Sequence, residues 1–85
     1  MKLKQIASNM TELEIGPVTV LFSYSTPVAG FNPTHGPNDT GHFKTTEKYS
    51  ATTTKHINKY FREEWGINPL SVREVDQAYI DGLVK

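Results

Sequence analysis

Apolar and polar positions alternate with a period of two over the first half of the chain and change to helical spacing beyond residue 50. The first period marks strands and the second a helix. In Thr11 to Ile15, Leu13 and Ile15 fall on one face and Glu12 and Glu14 on the other. That is the pattern of a half-buried strand. Val18 to Tyr24 is denser, with Val18, Val20, Phe22 and Tyr24 on one face and Leu21 on the other. Its β-branched and aromatic residues favour a strand, and apolar residues on both faces place it centrally, covered in part from both sides. Lys2 to Ala7 is a further short strand with imperfect alternation, since Leu3 and Ile6 cannot share a strand face. Ser8-Asn9 and Gly16-Pro17 are turn signals between these runs. Runs joined this closely predict an antiparallel meander.

Ser25 to Gly30 continues as an extended piece bent at Pro27. Proline cannot donate to a ladder, which predicts an edge or a bulge there. Residues 30 to 41 hold three glycines, two prolines and two asparagines, the composition of a long, exposed, mobile loop. His42 to Thr45 returns as a short strand that pairs back on Val28 and its neighbours. Ser50 is a good N-cap for the main helix. Ile57, Tyr60, Phe61 and Trp65 follow at helical spacing as one apolar stripe that lies across the inner face of the sheet. Gly66 and then Pro69 stop the helix. Two readings of the tail stay open. Asp76 caps a short last helix carrying Ala78, Tyr79, Ile80 and Leu83, or Ser71 caps a longer one with Glu74 completing a capping box; the shorter is preferred. The expected fold is α+β: a small antiparallel sheet of four to five strands, packed by one main helix, plus a short C-terminal helix, in a single domain spanning residues 1–85.

Composition narrows the class. Eighty-five residues make one domain with a small core, and oligomerisation would help stabilise such a chain. Nine basic and nine acidic residues cancel, so global charge argues neither for nucleic acid nor for a membrane surface. The absence of cysteine removes disulfides and thiolate metal sites and fits a reducing cytosol. No apolar run resembles a signal peptide or a spanning helix. The expectation is a soluble intracellular protein without a membrane partner.

The sharpest candidate chemistry is the helix start, where Ser50, Thr52, Thr53, Thr54, Lys55, His56 and Lys59 crowd into the first turns. A helix start presents unpaired N–H groups and partial positive charge, so anions favour it. Consecutive threonines are poor helix formers, and their use here asks for a reason. Two remain open: an anion pocket assisted by Lys55 or Lys48, or a cap that holds the helix to the sheet. Ile57 leads the apolar stripe, so Thr53, one turn earlier, is directed toward the sheet. Thr52, Lys55, His56 and Lys59 are left to meet a ligand. A second constellation is basic: Lys44, Lys48, Lys55, Lys59 and Arg62, with Glu47 as the sole acid among them and Tyr49 and Tyr60 nearby. Its alternatives are a nucleic-acid surface and an ordinary solvated face. His35, Asp39, His42 and His56 match no metal-ligand spacing, so no metal is expected. The aromatics Phe22, Tyr24, Phe43, Tyr49, Tyr60, Phe61 and Trp65 serve as core, and any exposed subset would form an oligomer interface. There is no phosphate-binding glycine loop, no Gly-x-Ser-x-Gly and no His-Glu-x-x-His. No nucleophile, base and orienting group can be assembled from the sequence. The expectation is therefore a non-enzymatic protein without a cofactor.

Several segments together resemble a known group: Leu3-x-x-Ile6-x-Ser8-Asn9, Ser23-Tyr24-Ser25-Thr26-Pro27-Val28-Ala29, Lys44-Thr45, and Ser50-x-Thr52-Thr53-x-Lys55-His56-Ile57-Asn58-Lys59. In this order they are similar to a small uncharacterised protein family of tailed bacteriophages, over nearly the full length of the chain. The chain departs from that family in its longer loop, rich in proline and glycine. The resemblance implies a viral origin and the host cytoplasm as location. It further implies an accessory role: binding a host factor, countering host defence, or sequestering an anionic small molecule such as a nucleotide. The expected partners are thus a host protein or a small anion, with a homo-oligomer open. The alternatives are a nucleic-acid-binding protein that uses the basic helix face, and a structural or self-assembling interaction module.

Overall fold

A computed structural model describes residues 2–33 and 41–84. Its elements in chain order are β1 (Lys2–Ala7), β2 (Met10–Ile15), β3 (Val18–Ser23), β4 (Thr26–Phe31), β5 (His42–Thr45), α1 (Ala51–Lys59), a π-helical turn (Tyr60–Trp65), a 3-10 turn (Pro69–Ser71), β6 (Arg73–Val75) and α2 (Gln77–Leu83). The strands form one sheet in the order β1-β2-β3-β4-β5-β6. The first five are antiparallel neighbours; β6 joins β5 in parallel, with Phe43 opposite Arg73 and Thr45 opposite Val75. The fold is α+β, as the alternating pattern predicts. The strand count of four to five is corrected to six, and the sheet is mostly rather than wholly antiparallel. Most of the expected mobile loop, including His35 and Asp39, falls on residues 34–40, outside the described residues.

Two irregularities in the sequence pattern become bulges. Register shifts between Gln5 and Ala7, so Ile6 is the extra residue, and it packs with Ala7 against the core while Leu3 stays on the opposite face. This resolves the mismatch between Leu3 and Ile6. Pro27 stands opposite Phe22 while Ala29 stands opposite Leu21, leaving Val28 as the extra residue. Val28 and Ala29, though adjacent, can then both join one core cluster. The proline lies in an inner strand, so of the two expectations for it the bulge is realised and the edge is not.

The sheet is covered on both faces. Met10, Leu21, Val28 and Ala29 pack with Ile57, Tyr60, Phe61 and Val72. On the other face Val20 and Phe43 pack with Ile80, joined by Val18, Phe22, Tyr79 and Leu83. Leu21 and Val20 are consecutive, and their membership of different clusters is the pleat of a central strand. Gly30 stands between Val20 and Phe43 in the sheet. A Cβ there would collide with the Thr19 carbonyl and come within 2.9 Å of the Phe43 ring, so the position requires glycine.

The apolar stripe runs Ile57, Tyr60, Phe61, Trp65 as predicted, but the backbone widens to a π-helix from Tyr60 to Trp65. Gly66 ends it in the left-handed conformation at φ 67°, and the Ile67 N–H reaches back to the Phe61 carbonyl at 3.0 Å. The tail takes the shorter helix, with Asp76 at its N-cap position.

Candidate functional site

The helix start is held by a chain of hydroxyls. Ser50 is extended at φ −161°, and its Oγ accepts from the Thr53 N–H at 3.1 Å. The Ser50 carbonyl accepts the Thr54 N–H at 3.1 Å and the Thr54 hydroxyl at 3.2 Å. The Ser50 hydroxyl also donates to Thr53 Oγ1 at 3.3 Å. Thr53 turns inward, as its place one turn before Ile57 predicts, and meets Ser23 Oγ at 3.2 Å. Ser23 in turn lies 2.7 Å from Nδ1 of His56. Buried hydroxyls require such partners, and this chain supplies them.

Ser23 is 2% exposed, beneath the helix on the face that carries Leu21. A serine beside a histidine is the material of a nucleophile and base. Here the serine oxygen is buried and meets both Thr53 and His56, and the arrangement fastens α1 to β3. The neighbouring hairpin completes it. Tyr24 has φ 58°, a backbone conformation that a bulky residue adopts only when its surroundings over-determine it. Its N–H bonds the Asn9 carbonyl at 2.8 Å, and its ring leans over His56 with centroids 5.7 Å apart. His56 is half-buried, with Nδ1 engaged by Ser23 and the tilted Tyr24 ring beside it. Thr52, Thr54, Lys55 and Lys59 are exposed.

Beside this anchored helix lies a groove of about 120 Å³, lined by residues 44–48, by Thr54, Ile57 and Asn58 of α1, and by Glu74 of β6. Its floor is fixed from the sequence upward. Buried Thr45 accepts the Glu47 N–H on its Oγ1 at 3.0 Å, and the Thr46 N–H bonds the Val75 carbonyl at 2.9 Å. Lys44 Nζ donates to the Pro69 carbonyl at 2.9 Å, which ties β5 to the 3-10 turn. Lys48, Glu47 and Glu74 are exposed around the rim. The groove thus offers an ammonium, a threonine hydroxyl, an amide and two carboxylates in one place. It sits beyond the carboxyl end of β5, next to the first turns of the crossover helix that leads to parallel β6.

The sequence-predicted residues divide accordingly. Ser50, Thr53 and His56 belong to the anchor, while Thr54 lines the groove and Lys55 and Lys59 lie on the exposed helix face. Of the basic set, Lys48 and Lys44 line the groove, Lys44 with its ammonium engaged. Arg62 falls in the π-helical turn, where the wider turn breaks the regular Lys55, Lys59, Arg62 spacing. Glu47, Asn58 and Glu74 carry no mark in the sequence as site residues; they come from three separate segments, and no spacing rule links them. Ser23 carries only a weak mark, as one of two polar residues, with Thr19, that share a face with Leu21 in β3. Among the described residues, no group of three histidine or acidic side chains gathers as a metal site, and no helix is long and apolar enough to cross a membrane. A larger depression of about 430 Å³ beside Arg62, Gly66, Ile67 and Asn68 is wide open, and Asn68 Oδ1 already accepts the Leu70 N–H at 3.0 Å.

Tyr60 shows how the core handles a phenol. It is 0% exposed, and its hydroxyl donates to Glu12 Oε2 at 2.8 Å. Burial, reinforced by the Glu12 carboxylate and opposed by Trp65, holds its ionisation well above the ordinary value.

A family model described as a family of unknown function, DUF8033, matches residues 1–80. No curated protein and no solved structure matches the chain.

Proposed function

The chain belongs to DUF8033, a family of unknown function, and on that premise we propose that it is a non-enzymatic binding protein whose groove beside α1 receives the anionic group of a small molecule. The observation that carries this reading is the convergence of Lys48 and Asn58 on one groove at the carboxyl end of β5. The Lys48 ammonium and the Asn58 amide beside a helix start favour a phosphate or carboxylate. Glu47 and Glu74 on the same rim accept hydrogen bonds from hydroxyl or amino groups. A ligand with an anionic end and a donor-rich end fits this pattern, and a nucleotide has both. The volume encloses a head group rather than a drug-sized molecule, so part of the ligand stays in solvent.

The similarity of the Ser23-to-Ala29 and Ser50-to-Lys59 segments to a tailed-phage family supports a biological setting. In that setting the protein is a phage accessory protein that sequesters a nucleotide signal, or engages a host factor, in the cytoplasm of the infected bacterium. Calorimetric titration with mononucleotides and cyclic signalling nucleotides tests the reading. Lys48→Ala is expected to weaken binding about tenfold, the worth of one charge-assisted contact, and Ser23→Ala to leave the groove's affinity intact in the folded protein. Equal affinity in wild type and Lys48→Ala, or no binding by either, ends it.

A further inference from the structure

We infer that the outer edge of β1 is a docking strand for an extended protein segment in which acidic residues alternate with apolar ones. Among the described residues β1 is the first strand of the sheet and pairs with β2 alone, so its other edge has no ladder partner there. The phase of the ladder says which. The Tyr24 N–H bonds the Asn9 carbonyl, which makes Met10 and Ser23 a pair without mutual hydrogen bonds. Alternation then turns the backbone groups of Glu12 and Glu14 toward β1, where Lys4 and Lys2 stand opposite them. Lys2 and Lys4 therefore bond inward, and the N–H and C=O groups of Leu3 and Gln5 face outward.

The side chains sort by the same alternation. Lys2 and Lys4 share one face, and Leu3, 70% exposed, lies on the other. The fold already contains the complement of this strand. Opposite Lys4, Leu3 and Lys2, β2 presents Glu12, Leu13 and Glu14, an acid, an apolar residue and an acid. A strand added outside β1 meets the same row, and matching acids would bracket each lysine from both sides. A second copy of β1 fits poorly, because antiparallel pairing places the lysines of both copies on one face of the joint sheet, where like charges repel. The helical segment from Lys59 to Glu64 meets β1 only at its Ile6-Ala7 end, and residues 2–5 are exposed. Strand addition of this kind takes its affinity from main-chain hydrogen bonds and its specificity from the alternating side chains.

The test uses the full chain and two blocked synthetic peptides, Thr-Glu-Leu-Glu-Ile-Thr and Thr-Lys-Leu-Lys-Ile-Thr, followed by amide NMR and by affinity at two salt concentrations. The acidic peptide is expected to shift the amides of Leu3 and Gln5 and to bind more weakly as salt rises. The Lys2→Glu/Lys4→Glu variant should lose about tenfold toward the acidic peptide and gain toward the basic one. Leu3→Pro removes an outward donor, keeps both lysines and is tolerated at a strand edge; it should abolish binding with the helical and strand signals of the wild type retained. Lys48→Ala should leave peptide affinity unchanged, which separates this surface from the groove. The inference is overturned by absence of binding, by shifts centred elsewhere, by equal affinity for the two peptides, or by a wild-type dimer that Leu3→Pro dissolves.

Discussion

Replacing Ser23 by alanine removes the one atom that joins β3 to both Thr53 and His56. That oxygen lies 3.2 Å from Thr53 Oγ1 and 2.7 Å from His56 Nδ1, and alanine makes neither hydrogen bond. The site is 2% exposed, so water cannot replace the hydroxyl without reorganisation of the helix. Each net hydrogen bond is worth about 1 kcal/mol. Thr53 keeps its hydrogen bond with Ser50, and half-buried His56 recovers part of its loss from solvent. The expected cost is therefore about 2 kcal/mol, a fall in melting temperature of roughly 8–16 °C for a domain of this size. Urea denaturation followed by tryptophan fluorescence and by far-ultraviolet circular dichroism measures it, with Thr54→Ala as the control. The Thr54 hydroxyl bonds only the exposed Ser50 carbonyl, and alanine is the better helix former, so that variant should fall within about 0.5 kcal/mol of wild type. If Ser23→Ala is as mild as Thr54→Ala, the hydroxyl chain does not hold the helix to the sheet.

Other outcomes follow from single contacts. Gly30→Ala should cost more than about 3 kcal/mol, since its Cβ collides with the Thr19 carbonyl and the Phe43 ring; a soluble variant with wild-type stability in urea would contradict the placement of Phe43. Ser50→Ala should cost about 1 kcal/mol through loss of the cap, whereas Thr52→Ala, at an exposed position, should not destabilise; thermal melts of the pair decide it. Tyr60 has its ionisation raised by burial, so its contribution is complete below pH about 10, the phenol's unfolded value, and is lost as pH rises above it. Tyr60→Phe should cost about 1.5–3 kcal/mol at neutral pH, because it leaves the Glu12 carboxylate without its donor, and should flatten the alkaline fall of stability; an unchanged alkaline limb would refute this.

The first two hairpins were legible because β2 and β3 show a period of two and Ser8-Asn9 and Gly16-Pro17 bound them; the turn between β3 and β4 was not, and Tyr24, expected on the strand face with Phe22, lies in that turn at φ 58°. Asn9 at φ 61° and Gly16 at φ 59° are residue types that accept the left-handed conformation at low cost, so Ser8-Asn9 and Gly16-Pro17 stood out as turns. β6 was not legible. Arg73, Glu74 and Val75 are too few to show a period, and their pairing with β5 depends on a crossover set by the whole helix. The inward turn of Thr53 could be read from Ile57, because both lie on one helix face. The engagement of His56 could not, because its partner Ser23 lies 33 residues away. The π-helical turn at Tyr60 also left no mark in the pattern, since its apolar spacing fits an α-helix equally well. The groove had the weakest signal of all: Glu47, Asn58 and Glu74 meet only because α1 crosses between two parallel strands.

At the start of α1 Ser50, Thr53, Ser23 and His56 hold the helix, and the proposed binding belongs to the neighbouring groove instead. Amide NMR of the whole chain during titration with a mononucleotide tests that division most directly. Perturbations are expected at Thr46, Lys48, Thr54, Asn58 and Glu74, with Ser23 and Thr53 unmoved. Perturbations centred on Ser23, Thr53 and His56, with residues 44–48 unmoved, would contradict it.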